Sequence, residues 1–259
     1  VFGTEKTRGV LVWHIKNRRV IPITDESIPL KLPSGIVNKV FVAKDNAVWV
    51  LSDNVVSIID PSFKRISSYT PKDPVNGKPY SLFFDICENG ESYWLGSYGS
   101  GLLRLDKNGI VSEAINTSRG LSNDAVYQVY SLPGDRMIVT SNNGISVIDL
   151  RQQLVNRYYQ TDGLHGNAFE EVSGCMEDGR IYVGGLNGFT VIEPARLTTN
   201  YAAPRVYITG AEMKGEKKRA DTNNLHLQYL EVPVWAEQTS LFFSAIDYTN
   251  PGQVSFAYR

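Results

Sequence analysis

Cysteine, histidine and methionine are scarce in this sequence, with two Cys, three His and three Met in 259 residues. Two thiols cannot build the disulfide framework of a small secreted scaffold. Cys87 and Cys175 each lie seven residues ahead of the same landmark of a repeat, Trp94 and Tyr182, so they hold equivalent positions two repeats apart. Such positions lie well beyond the ~7 Å Cα separation that a disulfide tolerates, and both are expected as small buried thiols. His14, His165 and His226 stand in unrelated contexts, with no metal-ligand spacing to Cys or carboxylates. Neither a metal nor any other cofactor is therefore expected. Charge of one sign is also lacking: 26 Lys and Arg against 27 Asp and Glu leave a net charge of -1, which gives no support for a nucleic-acid partner or an acidic membrane surface. No apolar run nears the ~18 to 20 residues that span a bilayer, and no signal peptide opens the chain. Nucleophile elbows, Walker A loops and dinucleotide fingerprints are missing too, and no catalytic constellation takes their place.

What the chain has in quantity is short β-branched and aromatic runs separated by turn residues. Residues 120–149 carry the unit: a turn at Gly120, Ser122, Asn123 and Asp124, an alternating run Ala125 to Leu132, and a turn at Pro133-Gly134-Asp135. Met137-Ile138-Val139, the turn Ser141-Asn142-Asn143-Gly144, and Ile145 to Ile148 closed by Asp149 complete it. Such runs predict antiparallel strands joined by tight turns. The unit recurs with lead residues Val1, Trp49, Trp94, Ile138 and Tyr182, at intervals of 48, 45, 44 and 44 residues. A period of ~40 to 50 residues with several strands per repeat indicates a β-propeller.

The predicted fold is all-β: a partial β-propeller of about five blade-equivalents from a ring of about seven, followed by part of an Ig-like β-sandwich. Residues 1–194 are assigned to C-terminal blades. The first of these blades is represented only by its tail (residues 1–24), and the last lacks a fourth strand. Residues 195–204, with Pro194 and Ala203-Pro204 at their edges, form the linker. Residues 205–259 lose the repeat spacing and alternate at Val206/Ile208, Leu225/Leu227, Val232/Val234, Leu241 to Ile246 and Phe256/Tyr258. They predict the N-terminal half of a sandwich, and the chain is read as a segment of a larger protein.

Two features resemble known families. Gly120-Leu121-Ser122-Asn123-Asp124, the alternating strand, and then Asn143-Gly144-Ile145 with a closing Asp149 resemble the two-component regulator propeller repeat. Residues 162–194 look like its terminal blade. Leu241-Phe242-Phe243-Ser244-Ala245-Ile246-Asp247-Tyr248-Thr249-Asn250-Pro251, followed by Phe256 to Arg259, is similar to the first half of the Y_Y_Y domain that follows such propellers. The second unit departs from the repeat, with Leu51 where Gly is usual and no Gly before Val55. The resemblance implies the periplasmic sensor region of an inner-membrane hybrid two-component protein, in which sensor, histidine kinase, receiver and DNA-binding parts share one polypeptide. It also implies oligosaccharide sensing coupled to transcription regulation, a homodimer in the full protein, membrane tethering through other segments, and kinase chemistry outside this chain.

Within the repeat, Trp49, Trp94, Ile138 and Tyr182 are expected to pack between blades, and Asp60, Asp106, Asp149 and Glu193 to satisfy the backbone of a turn. If the strands of a unit are lettered A to D, the B–C loops and D–A connections emerge on one face, because antiparallel strands alternate direction. That face supplies the ligand-binding candidates Lys78, Tyr80, Tyr98, Arg119, Asn142, Asn143, His165 and Asn187. Aromatic faces and Asn, Arg and His hydrogen bonds suit a sugar. For the Asn residues turn chemistry is the simpler account, whereas Tyr98, Arg119, Lys78 and His165 are not explained by it. Two alternatives to a carbohydrate sensor stay open: a protein-interaction scaffold with no small ligand, and a propeller lyase or hydrolase.

Overall fold

The computed structural model describes residues 2–3, 9–24, 30–197, 204–215, 219–222, 230–246, 254 and 256. The alternation at Leu225/Leu227, His226 and most of the stretch after 246 lie outside the described residues. The chain divides into two compact units, Val1–Thr198 and Thr199–Arg259.

The first unit is five antiparallel sheets in chain order, each a meander of neighbouring strands. The first sheet joins β1 (Phe2–Gly3), β2 (Val10–His14) and β3 (Arg19–Ile23). The second has four strands, β4 (Lys39–Val42), β5 (Val48–Leu51), β6 (Val56–Ile59) and β7 (Ile66–Tyr69). The third repeats this as β8 (Phe83–Asn89), β9 (Ser92–Ser97), β10 (Gly101–Leu105) and β11 (Val111–Ile115). The fourth follows as β12 (Val126–Leu132), β13 (Arg136–Ser141), β14 (Gly144–Asp149) and β15 (Leu154–Tyr158). The fifth has β16 (Phe169–Glu177), β17 (Arg180–Gly185) and β18 (Gly188–Ile192). This is the predicted propeller architecture, with β4, β8, β12 and β16 as successive A strands packed on one another.

Each interface between consecutive sheets is a separate hydrophobic core. Val10 and Ile23 meet Val48, Val50 and Ile59 between the first two sheets. Trp49 and Leu51 meet Phe83, Tyr93 and Leu95 in the next core, where the Trp49 and Tyr93 rings stack at 4.1 Å. Trp94 and Leu102 meet Val126, Val129, Met137 and Val139 in the third, and Ile138, Ile145 and Val147 meet Phe169, Ile181 and Val183 in the fourth. The B strands alternate between the two neighbours: Val48 and Val50 look back, Trp49 looks forward; Tyr93 and Leu95 look back, Trp94 looks forward. Burial on both faces is why these strands read as unbroken apolar runs, and each fully buried large side chain contributes ~2 to 3 kcal/mol of transfer free energy.

The turns follow from backbone accounting. Asp60 accepts from Lys64 N–H (2.7 Å) and Arg65 N–H (2.9 Å). Asp106 accepts from Asn108 and Ile110 N–H, each at 2.8 Å, and Asp149 from Arg151 (3.0 Å) and Gln152 (2.9 Å). In these three sheets the recurring carboxylate closes the C–D turn, whereas Glu193 at the corresponding place of the fifth sheet pairs with Arg180 (3.2 Å) and Arg196 (2.6 Å). The glycine that opens strand C recurs in the third, fourth and fifth sheets and is missing from the second, where β6 begins at Val56. Gly101 has φ +76°, and a Cβ there would sit 2.2 Å from the Ile115 carbonyl oxygen. Gly144 has φ +87° and the same relation to the Tyr158 carbonyl, at 2.5 Å. At Gly188 nothing lies within 4 Å, because its sheet has no D strand among the described residues.

A polar ladder joins the A strands. Lys39 Nζ lies 2.6 Å from the Asp85 carboxylate, and the other Asp85 oxygen accepts from Val129 N–H at 2.9 Å. Gln128 is buried, with its amide nitrogen toward the Tyr130 hydroxyl (2.7 Å) and its oxygen accepting from Ser173 N–H (2.7 Å) and Gly174 N–H (2.8 Å). Lys39, Asp85, Gln128 and Ser173 are the same repeat position in four sheets, so the ladder runs from sheet two to sheet five.

Two expectations change. Cys175 is exposed rather than buried, because the face of β16 turned away from β12 carries no further sheet among the described residues. Cys87 is half-buried, both thiols are free, and burial pushes the Cys87 thiol up. In the second unit, β19 (Val206–Lys214) is the centre of a three-stranded sheet, flanked by β20 (Arg219–Thr222) and β21 (Gln238–Ala245). Val232 and Val234 form no strand: Pro233 between them has no N–H to pair, and its carbonyl instead accepts from Ala236 N–H at 2.9 Å. No helix among the described residues is long and apolar enough to cross a membrane.

The ladder generates a stability prediction. Asp85→Ala leaves a buried N–H without its acceptor and an ammonium without its partner. Because Lys39 keeps 35 % side-chain exposure and reaches water, the expected loss is about 2 to 3 kcal/mol. Denaturant unfolding measures it, and a loss below about 0.5 kcal/mol would show that the ladder holds nothing together.

Candidate functional site

The A strands of the third, fourth and fifth sheets share an irregularity that sequence alternation hides, whereas β4 pairs with β5 in unbroken register. Pairing with the B strand slips between Phe83 and Asp85, between Val126 and Gln128, and between Phe169 and Gly174. Each slip is a β-bulge near the start of its strand, and bulges re-aim side chains. The unpaired residues are Phe84, Tyr127 and the run Glu170 to Ser173. Val172 within that run is in the left-handed region at φ +53°.

Phe84 and Tyr127 belong to none of the four cores and meet each other edge-on, with ring centroids 5.3 Å apart at 70°. Tyr98 from the B–C loop of the third sheet completes the cluster, edge-on to Phe84 at 6.4 Å and 82°, with 52 % of its surface exposed. Its backbone is fixed from two sides. Tyr98 N–H donates to the Leu82 carbonyl at 2.9 Å, and Tyr98 bridges to Ala125 at the start of the next A strand. Gly99 and Gly101 N–H both donate to the Asp124 carbonyl at 2.9 Å. Three aromatic rings are therefore held on rigid backbone at the B–C end of the A strands.

Carboxylates flank the cluster. Glu170 and Glu171 are exposed, and neither forms an ion pair with Lys, Arg or His among the described residues. Burial pushes the Tyr127 phenol up, and the charges of Glu171, Tyr98 and Glu170 push it further. Partial burial raises the Glu171 carboxyl, with Glu170 beside it adding to the shift. No group of three or more His, Cys, Asp or Glu that could hold a metal occurs among the described residues.

Of the eight residues proposed from sequence, Tyr98 is the one in this cluster. Lys78 and Tyr80 belong to a hairpin excursion closed by the Lys72–Pro79 bridge, where Asp73 accepts from Val75 N–H (2.7 Å) and Tyr80 packs on the Trp49 core. Asn142 and Asn143 are exposed on the B–C loop of the fourth sheet; Asn142 N–H donates to the Ala125 carbonyl at 3.3 Å. Asn187 is exposed at the corresponding loop of the fifth sheet. His165 Nδ1 lies 2.7 Å from Thr190 Oγ1, its ring stands edge-on to Phe169, and its Nε2 is buried under Gly185. Arg119 turns away from the face: its Nη1 donates to Glu113 (2.7 Å) and to the Ala114 carbonyl (3.1 Å). There it lines a separate groove of about 370 Å³ between the third and fourth sheets, with Trp94, Arg104, Asp135 and Arg151. The Arg104 guanidinium lies 5.7 Å over the Trp94 ring.

Sequence reading missed Phe84, Tyr127, Glu170 and Glu171. The available signal was a break in alternation: Phe83-Phe84-Asp85 puts two aromatics in a row and then a carboxylate where an inward residue belongs.

No protein-family model matches the chain. Histidine kinase P4 of Formosa agariphila is 21% identical over 291 aligned positions that cover 100% of this chain and 21% of that protein. Among solved structures, the extracellular domain of a proposed hybrid two-component system, BT4673 of B. thetaiotaomicron, matches with TM-score 0.58 at 16% identity, over 81% of this chain and 27% of that one. PorZ, a surface component of the type-IX secretion system of Porphyromonas gingivalis, matches with TM-score 0.56 at 10% identity, over 92% and 42% respectively. These likenesses establish the all-β, propeller-type fold. The chain spans 21% of histidine kinase P4, 27% of the BT4673 domain and 42% of PorZ.

The electrostatics of the site give a pH prediction. A carboxyl whose folded pKa is raised contributes stability that is fully present below its unfolded value, 4.5 for Glu171, and is lost as pH rises through the folded value. Glu171→Gln should therefore raise stability at neutral pH by about 0.5 kcal/mol after solvent screening, and leave it unchanged well below the unfolded value. Paired denaturation curves at the two pH values test this; an equal effect at both would assign it to something other than charge.

Proposed function

We propose that this chain is the extracytoplasmic sensor segment of a hybrid two-component signalling protein and binds a carbohydrate-type signal on the Phe84–Tyr98–Tyr127 face. The observation that carries this reading is the aromatic cluster itself: three rings outside every hydrophobic core, mounted on bulges and a doubly anchored loop. Rings left accessible in this way stack on the C–H faces of a sugar, and the neighbouring carboxylates accept hydrogen bonds from its hydroxyls. The likeness to the BT4673 extracellular domain and to histidine kinase P4 supports the placement of such a segment outside the membrane, upstream of a kinase.

Signalling demands more than binding. A ligand shifts an equilibrium between two receptor arrangements only by the difference in its affinity for them. In this reading the full protein is a membrane-tethered homodimer, and the second unit, built on β19, relays the change toward the histidine kinase. This segment performs no catalytic step. The scaffold alternative, in which the same aromatic face holds a protein partner, is favoured by its exposure and separated by ligand screening.

The test is thermal unfolding of the full chain across a panel of oligosaccharides. A ligand at 100 times its dissociation constant stabilises the native state by about 2.7 kcal/mol. At least one sugar is expected to raise the midpoint, with the shift lost in Tyr98→Ala and Tyr127→Ala. A folded protein that responds to no sugar would move the assignment to the protein-interaction scaffold.

A further inference from the structure

The rim of the aromatic face narrows the chemistry of its ligand, on the premise that the face binds a sugar. Phe84, Tyr98 and Tyr127 present π faces and edges from two sheets and a loop, and the fifth sheet adds Glu170 and Glu171 from the corresponding bulge. The basic residue on the A-strand ladder, Lys39, is already engaged by Asp85 at 2.6 Å, and Arg119 by Glu113 at 2.7 Å. The face is thus aromatic and acidic, with its carboxylates uncompensated by any ion pair among the described residues.

Aromatic faces attract cations through the ring quadrupole, and desolvation strengthens that attraction. A carboxylate beside the rings adds a charge-assisted hydrogen bond to an ammonium group. The same pair repels a uronate or sulfate, whose own charge would have to approach two unpaired carboxylates. A neutral N-acetyl sugar meets the rings and offers the acids only neutral hydrogen-bond donors, without the charge-assisted bond.

We propose that the face selects amino sugars bearing a free ammonium group, seated on Tyr98 and Tyr127 with Glu170 and Glu171 as its counter-ions, and rejects acidic sugars. Discrimination is set by the fifth sheet, and stacking by the third and fourth.

Calorimetric titration of the full chain with three hexamers tests this: β-1,4-linked glucosamine, its fully N-acetylated form, and oligogalacturonate. The glucosamine hexamer is expected to bind at least tenfold more tightly than the acetylated one, with oligogalacturonate weakest. The double variant Glu170→Gln/Glu171→Gln should weaken glucosamine binding about tenfold and change acetylated binding less than twofold. Tyr98→Ala should weaken both, which separates a built site from diffuse charge attraction. Oligogalacturonate or the acetylated hexamer binding as tightly as glucosamine, in a Tyr98-dependent way, would overturn the selectivity and leave the sugar-binding reading standing. Glucosamine binding that ignores Tyr98→Ala would overturn it as well, as non-specific attraction. No binding by any of the three hexamers would overturn the amino-sugar assignment, while a response to another sugar in the thermal panel would still support the broader reading.

Discussion

Everything in the first unit depends on how closely the A strands can approach one another. Two sheets that meet face to face are held by apolar contact, which is tolerant of small shifts. The A strands are held by hydrogen bonds with fixed lengths: Lys39 to Asp85, Asp85 to the Val129 N–H, and Gln128 to the backbone of Ser173 and Gly174. Hydrogen bonding in a region of low dielectric is directional and expensive to leave unmade. Gly174 reflects this constraint, since a Cβ there would lie 2.3 Å from the Gln128 carboxamide and 2.4 Å from the Tyr130 hydroxyl. The ladder sets the spacing, and the apolar cores fill the space that results.

The bulges and the ladder are one device. Slipping the register by a residue turns Asp85 and Gln128 inward, where they meet the next sheet, and leaves Phe84 and Tyr127 without a partner on the B strand. A polar link in the interior and an aromatic residue at the surface are two outcomes of the same backbone irregularity. The candidate site therefore sits at the most tightly specified part of the sheets, which is where a ligand surface needs to be rigid.

The repeat, its period and the order of strands were legible in the sequence because they rest on short-range rules: alternation, turn chemistry, and a glycine at the start of strand C in the third, fourth and fifth sheets. The function of Asp60, Asp106 and Asp149 was legible for the same reason. The bulges were not. Their existence is decided by contacts 44 residues apart, such as Asp85 with Val129, and the break in alternation at Phe83-Phe84-Asp85 does not by itself say which way Phe84 points. The course of the Arg119 side chain was hidden in a related way, since it runs back along β11 to Glu113 and the groove beside Trp94 instead of toward the loop face. In the second unit, Val232 and Val234 had the right alternation and the wrong residue between them.

The division of the unit into four separate cores has an evolutionary consequence. Each core is shared by only two sheets, so stability is close to a sum of neighbour terms, as in other repeat architectures. Phe84, Tyr127 and the Glu170–Glu171 pair lie outside all four cores, each on a different sheet. Exchanging one of them alters the ligand surface while leaving the packing of every interface intact. Such a scaffold can diversify what it recognises by independent single steps, sheet by sheet, without passing through unstable intermediates.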